Sequence, residues 1–224
     1  MKIDTLLIVD TETTGTDPAR DRIVEIGAVL WSVANGCALA TWSDLVTGEG
    51  NEAEAINRIP AAALACGVER SAAMGTLRAL ARRANVAVAH NAAFDRAFLA
   101  EDLGLPWVCS MDDLAWPRAV SGRNLAAIAL AHDVGIVTAH RAVADCTILA
   151  RLFERVTELG HDVGEMVRRG LRPKATYQAM VSYADRELAK AAGFAWDGTA
   201  KRWTRRLAPD DAAALPFKVV EVHA

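Results

Sequence analysis

Apolar and polar positions change their period along this chain, and the change divides it into regions. Leu6–Val9 is a continuous apolar run, Ile23–Trp31 is longer and mostly apolar, and Ala38–Val46 contains an aromatic residue; the three predict strands. The turn-forming stretch Val33–Gly36 predicts a tight antiparallel hairpin between the second and third. Beyond them the period becomes helical. Pro60–Cys66, Ser71–Ala84, Ala92–Leu103, Asn124–His132 and Ala142–Leu159 read as helices, with short apolar strands at Val86–Ala89 and Trp107–Cys109. Strands first, then strands alternating with helices, imply an α/β layer fold with a mixed central sheet covered by helices.

Gly160–Gly164 and the basic stretch ending at Pro173 and Lys174 read as a connector. Residues 1–164 are therefore expected to form the main domain, and residues 165–224 a small α+β module. In that module Thr176–Ser182 reads as a strand, Ala184–Ala192 as a helix, Phe194–Arg205 as a hairpin turning near Asp197–Thr199, and Phe217–Val222 as a last strand.

Composition narrows the class. With 224 residues and 52% hydrophobic content, the chain can bury one ordinary core plus a small appendage. Its apolar runs fall far short of the ~20 residues that a membrane helix needs. No secretory signal is visible after Met1, so a soluble, cytoplasmic protein without a membrane partner is expected. Cys37, Cys66, Cys109 and Cys146 are irregularly spaced, which fits free buried thiols better than a disulfide framework or a zinc site. The net charge of −3 hides an asymmetry: residues 1–164 carry −7, and residues 165–206 carry +6. A polyanionic partner suits the late segment, although such clusters are more often solvated surface.

The candidate chemistry lies in carboxylates. Asp10 and Glu12 extend the first strand, and their i, i+2 spacing points both to one side. Two like charges at the end of a buried strand need a multivalent cation or protonation, unless they sit in a solvated turn made by Thr13, Thr14 and Gly15. Asp95 falls on the helical stripe of Phe98 and Leu99, and Asp145 on that of Leu149, Leu152 and Val156. Taken alone, each is more often a hydrogen-bonded core residue than a ligand. His140, five residues before Asp145, would stand about 140° from it on one helix and so belongs to the preceding loop, where it could cap the helix or stay solvated.

Together these residues carry a pattern. Asp10-Thr11-Glu12-Thr13-Thr14-Gly15, His90-Asn91-Ala92-Ala93-Phe94-Asp95 and His140-Arg141-Ala142-Val143-Ala144-Asp145 resemble, in order, the three motifs of the DEDDh exonuclease family, which includes the proofreading epsilon subunit of bacterial replicative DNA polymerase. The resemblance covers roughly residues 5–158. It implies an RNase H-like fold and 3′-to-5′ removal of 5′-mononucleotides. It makes Asp10, Glu12, Asp95 and Asp145 metal-binding acids and His140 the general base. Hard oxygen ligands suit Mg²⁺ or Mn²⁺, and two ions ~4 Å apart would clamp the scissile phosphate. By the same resemblance, Thr11, Thr13, Thr14 and Gly15, with Thr16 and His140, contact the terminal nucleotide, whereas His90 and Asn91 fix a turn.

In the C-terminal module Tyr177, Tyr183, Phe194, Trp196 and Trp203 interleave with Lys190, Lys201, Arg202, Arg205 and Arg206. Basic groups beside aromatic faces suit a single strand. Phe194, Trp196 and Trp203 are equally suited to form the core of so small a sheet. The expected partner is a nucleic acid with a free 3′ end, single-stranded DNA before RNA. The resemblance also allows a polymerase or DNA-repair partner. The rival readings are a proofreading subunit, an enzyme for RNA or short oligonucleotides, and a noncatalytic binding module.

Overall fold

The computed structural model describes residues 2–120, 122–136 and 141–222, without the side chains of 100–102. It divides into two compact units, Met1–Leu171 and Arg172–Ala224.

The first unit opens with a meander of three strands, β1 (Thr5–Thr13), β2 (Ile23–Ser32) and β3 (Cys37–Leu45). A short helix α1 (Glu54–Asn57), a 3-10 segment Ala61–Cys66 and α2 (Arg70–Ala81) lead into β4 (Val86–Ala89), α3 (Ala92–Leu103) and β5 (Trp107–Cys109). The helices α4 (Leu125–Ala131), α5 (Ala142–Glu158) and α6 (Val163–Gly170) complete it. The sheet order is β3-β2-β1-β4-β5, with β1 antiparallel to β2 and parallel to β4. This is the expected mixed sheet with helices on both faces.

Period-two alternation assigns the faces. Leu6 and Ile8 of β1 join the core built with Leu149, Leu152 and Phe153 of α5. Leu7 and Val9 join the core under Met74 and Leu77 of α2 and Leu99 of α3. β2 is buried along its whole length, as a central strand covered on both faces must be. Trp31 and Phe153, both fully buried, pack with ring centroids 5.5 Å apart.

Three expectations need correction. The connector assigned to Gly160–Gly164 is the start of α6: Asp162 caps it by accepting the Glu165 amide, and Val163 and Val167 are buried in the first unit's core. The boundary consequently falls after Leu171 rather than at 164. α1 was not foreseen either, being too short to show a helical period. All four cysteines are free, but Cys37 and Cys66 are exposed and only Cys109 and Cys146 are buried.

The second unit holds β6 (Ala175–Ala179), α7 (Arg186–Ala191), β7 (Ala195–Asp197), β8 (Arg202–Leu207), α8 (Pro209–Ala213) and β9 (Val219–Glu221). Its strands run in the order β7-β8-β6-β9, every pairing antiparallel. Tyr177, Ala179, Ala189, Phe194, Leu207 and Ala212 form its core. No helix among the described residues is long and apolar enough to cross a membrane.

Candidate active site

β1 outruns its neighbour. Its parallel pairing with β4 ends at Ile8 opposite Val88, and five further residues of β1 pair only with β2. Asp10 and Glu12 lie on this extension and share the face of Leu6 and Ile8, the face that α5 covers. Asp145 stands in the first turn of α5. The carboxylate oxygens of Asp10, Glu12 and Asp145 come within 4.8 Å of one another, and all three residues are partly buried.

Asp95 arrives from the other face. β4 ends at Ala89, Asn91 adopts a left-handed backbone with φ 65°, and α3 begins at once. Asp95, 1% exposed, accepts the Thr11 amide at 2.9 Å and the Thr11 hydroxyl at 2.8 Å. It thus occupies the edge of β1 that β4 leaves open. His90 contributes structurally: its Nδ1 lies 2.9 Å from the Ser110 hydroxyl.

The electrostatics follow from crowding. Burial, then the charges of Asp95, Asp145, Glu12 and Glu25, push the Asp10 carboxyl well above the usual carboxylate range. Burial and the neighbouring acids push Glu12 up to about 7, and Arg141 only partly opposes them. Asp95 is pushed up to about 7 by burial, against the hydrogen bonds from Thr11. Negative charge accumulates here at a cost that a compensating cation would offset.

The remaining site residues are distributed unevenly. His140 lies outside the described residues. The Thr11 hydroxyl serves Asp95, Thr13 donates to the Gly15 carbonyl at 2.5 Å, and Thr14 donates to Asp21 at 3.3 Å while accepting the Arg22 amide at 3.2 Å. These buried hydroxyls hold the turn after β1 together instead of standing open to a nucleotide. Gly15 packs on the Asp21 carboxylate so closely that a Cβ there would lie 2.4 Å from it. Two contributors escaped the sequence reading, Glu25 and Gly27, although an acid and a glycine inside an apolar strand were a signal. Gly27 faces the start of α5, where a Cβ would come within 2.3 Å of the Ala142 backbone, so only glycine lets the helix approach.

In the second unit, Phe194 is core and Trp203 is partly buried against it, whereas Trp196 is 52% exposed and Tyr183 83% exposed. Trp196 and Trp203 sit opposite each other on β7 and β8 with centroids 5.5 Å apart. The Lys190 ammonium stands 5.9 Å from the Trp203 ring centre and also pairs with Glu187, and Arg186 lies over Tyr183. Lys201 is exposed in the hairpin turn, while Arg202 is half-buried. Arg205 departs from the expected surface role: its guanidinium donates to the Ala192 carbonyl at the end of α7.

Comparison with known proteins agrees with this geometry. A family model described as Exonuclease matches residues 7–153, and a second, a domain of unknown function (DUF8626), matches residues 175–222. No curated protein sequence matches. Among solved structures, E. coli exonuclease I bound to a dT13 oligonucleotide superposes with a TM-score of 0.59 at 13% identity, over 96% of this chain and 68% of that one. The zinc-bound E. coli exonuclease I complex with single-stranded DNA gives 0.56 at 16% identity, over 83% and 50%. A 3′-exonuclease that recognises a histone mRNA stem-loop gives 0.53 at 13% identity, over 77% and 67%. The chain spans about half the length of several exonuclease I structures that it matches. At these identities the likeness concerns the fold.

Proposed function

This chain belongs to the exonuclease family, with the RNase H-like fold of its DEDDh branch, and from that premise we propose that it is a metal-dependent 3′-to-5′ exonuclease acting on single-stranded nucleic acid. The observation that carries this reading is the meeting of Asp10, Glu12 and Asp145 within 4.8 Å, with Asp95 of α3 bound to Thr11 of the same strand. The donor set fits hard divalent cations, since it offers carboxylate oxygens whose protons are otherwise retained abnormally late. Asp10, Glu12, Asp95 and Asp145 would hold two Mg²⁺ or Mn²⁺ ions; such cations supply Lewis acidity toward a phosphate oxygen and acidify water.

The chain's own groups do the rest. His140 takes the proton of the attacking water, a transfer that imidazole chemistry suits near neutral pH. The water oxygen bonds to phosphorus, the bond from phosphorus to the penultimate 3′ oxygen breaks, that oxygen takes a proton from solvent, and a 5′-mononucleotide leaves. The turn of Thr13, Thr14 and Gly15 holds the end of β1 beside the terminal nucleotide. The basic second unit adds affinity for single-stranded nucleic acid through Trp196, Tyr183, Lys190, Lys201 and Arg202. Neighbours crystallised with oligonucleotides support a nucleic-acid substrate, with DNA preferred; the stem-loop mRNA complex is the observation that favours an RNA reading.

The test uses 5′-labelled single-stranded DNA and RNA with Mg²⁺, Mn²⁺ or chelator, beside Asp10→Ala. The expected result is a ladder that shortens from the 3′ end, needs the metal and disappears in the variant. Intact strands under every condition would remove the nuclease reading and leave a binding module.

A further inference from the structure

Glu25 is an acid of the site that does not belong to the carboxylate trio. It lies directly opposite Glu12 in the register of β1 and β2, on the face that α5 covers, and its side chain is 2% exposed. Its oxygens are fully engaged. Arg141 donates from Nε to Oε2 at 2.9 Å and from Nη2 to Oε1 at 2.8 Å, the Ala142 amide donates to Oε2 at 3.0 Å, and the Ser43 hydroxyl donates to Oε1 at 3.1 Å. A buried carboxylate with four donors is held in one place and has no spare direction for a cation.

Its partner immediately precedes the helix that carries Asp145. Arg141 is the N-cap of α5 in extended backbone, and its own side chain makes no capping hydrogen bond there. Glu25 supplies the cap instead, as a carboxylate from a neighbouring strand at the positive end of the helix. The Arg141 carbonyl in turn accepts the amides of Ala144 at 2.9 Å and Asp145 at 3.1 Å. One connected set of hydrogen bonds therefore runs from β2 through Arg141 to the backbone of Asp145, and Gly27 lets the helix sit down against the sheet.

We propose that Glu25 and Arg141 are positioning residues for the carboxylate centre: their forked ion pair fixes the first turn of α5 so that Asp145 meets Asp10 and Glu12. The inference rests on the metal-dependent reading above. Arg141→Lys is the decisive variant, because it keeps both charges and loses only the two-pronged geometry. Glu25→Gln is the second, in case lysine still finds the carboxylate.

The measurement is calorimetric titration of the full chain with Mn²⁺, beside a thermal melt and the cleavage rate as Mn²⁺ is raised. Each variant is expected to weaken Mn²⁺ binding roughly 10- to 100-fold, the range for partners that orient metal ligands. Cleavage should recover toward the unmodified rate as Mn²⁺ saturates, and in an Asp145→Ala background neither change should weaken binding further. Unchanged affinity, or an equal loss in that background, overturns the positioning role and leaves only a fold-stabilising ion pair. An unmodified chain that binds no Mn²⁺ overturns the metal-dependent reading itself, and the two failures are thereby told apart.

Discussion

Glu12 and Asp95 each keep a proton to about pH 7 in the folded chain, against ordinary values of 4.5 and 3.8, because burial and crowding penalise the charged form. Between those limits the folded state binds more protons than the unfolded one, so stability falls as pH rises through this window and levels off above it. Divalent cations need the deprotonated carboxylates, and their stabilisation therefore grows over the same range. Melts in chelator are expected to show Tm declining from pH 5 to pH 8, with Mg²⁺ or Mn²⁺ restoring it mainly at the upper end. Asp10→Asn takes one acid out of the crowded cluster and so lowers the cost of ionising its neighbours; at pH 8 in chelator it should melt above the unmodified chain. A lower melting temperature for that variant would contradict the account. That Asp10 and Glu12 point to one side was legible from their spacing. Glu25 was not, since nothing near it in sequence announces an arginine 116 positions away.

The elements that make the site are β1, β2 and α5, and the contact between the last two depends on Gly27. A methyl group there would collide with backbone atoms of Ala142 and Val143, which have no flexible end to swing aside. Gly27→Ala is expected to lower stability by about 1–3 kcal/mol, the usual cost of overpacking, and to reduce cleavage further by lifting Asp145 from its partners. Chemical denaturation read beside the cleavage rate checks both parts. An equally stable and active variant would mean that α5 does not need this close seat. α6 illustrates why one element escaped sequence reading: its glycines and charges imitate a linker, and Val163 and Val167 reveal their purpose only through the core they enter.

Across the whole molecule, charge is separated between a largely acidic first unit, where the carboxylate cluster lies, and a basic second unit. Phe194 supplies core, yet half of Trp196 remains in contact with solvent, more than core formation requires. On the proposed reading, Trp196→Ala weakens binding of a long single strand by about 1–3 kcal/mol per lost base stack and leaves cleavage of a dinucleotide unchanged. Fluorescence titration with oligonucleotides of increasing length, together with turnover on the shortest, checks this. Equal affinity in the variant would make the Trp196–Trp203 pair a hairpin brace alone.

The amino-acid sequence was enough for the mixed α/β class and for the shared side of Asp10 and Glu12, because strand and helix periods and i, i+2 spacing are local properties of the chain. Residues 10 and 12 must share one face wherever the strand lies. It was not enough for the clamp from Glu25 to Arg141, the seat at Gly27, the internal use of the Thr13 and Thr14 hydroxyls, or the diversion of Arg205 to the end of α7. Those depend on which elements the folded chain brings into contact. A buried polar group takes whatever partner packing places within 3 Å, and no local pattern encodes that choice.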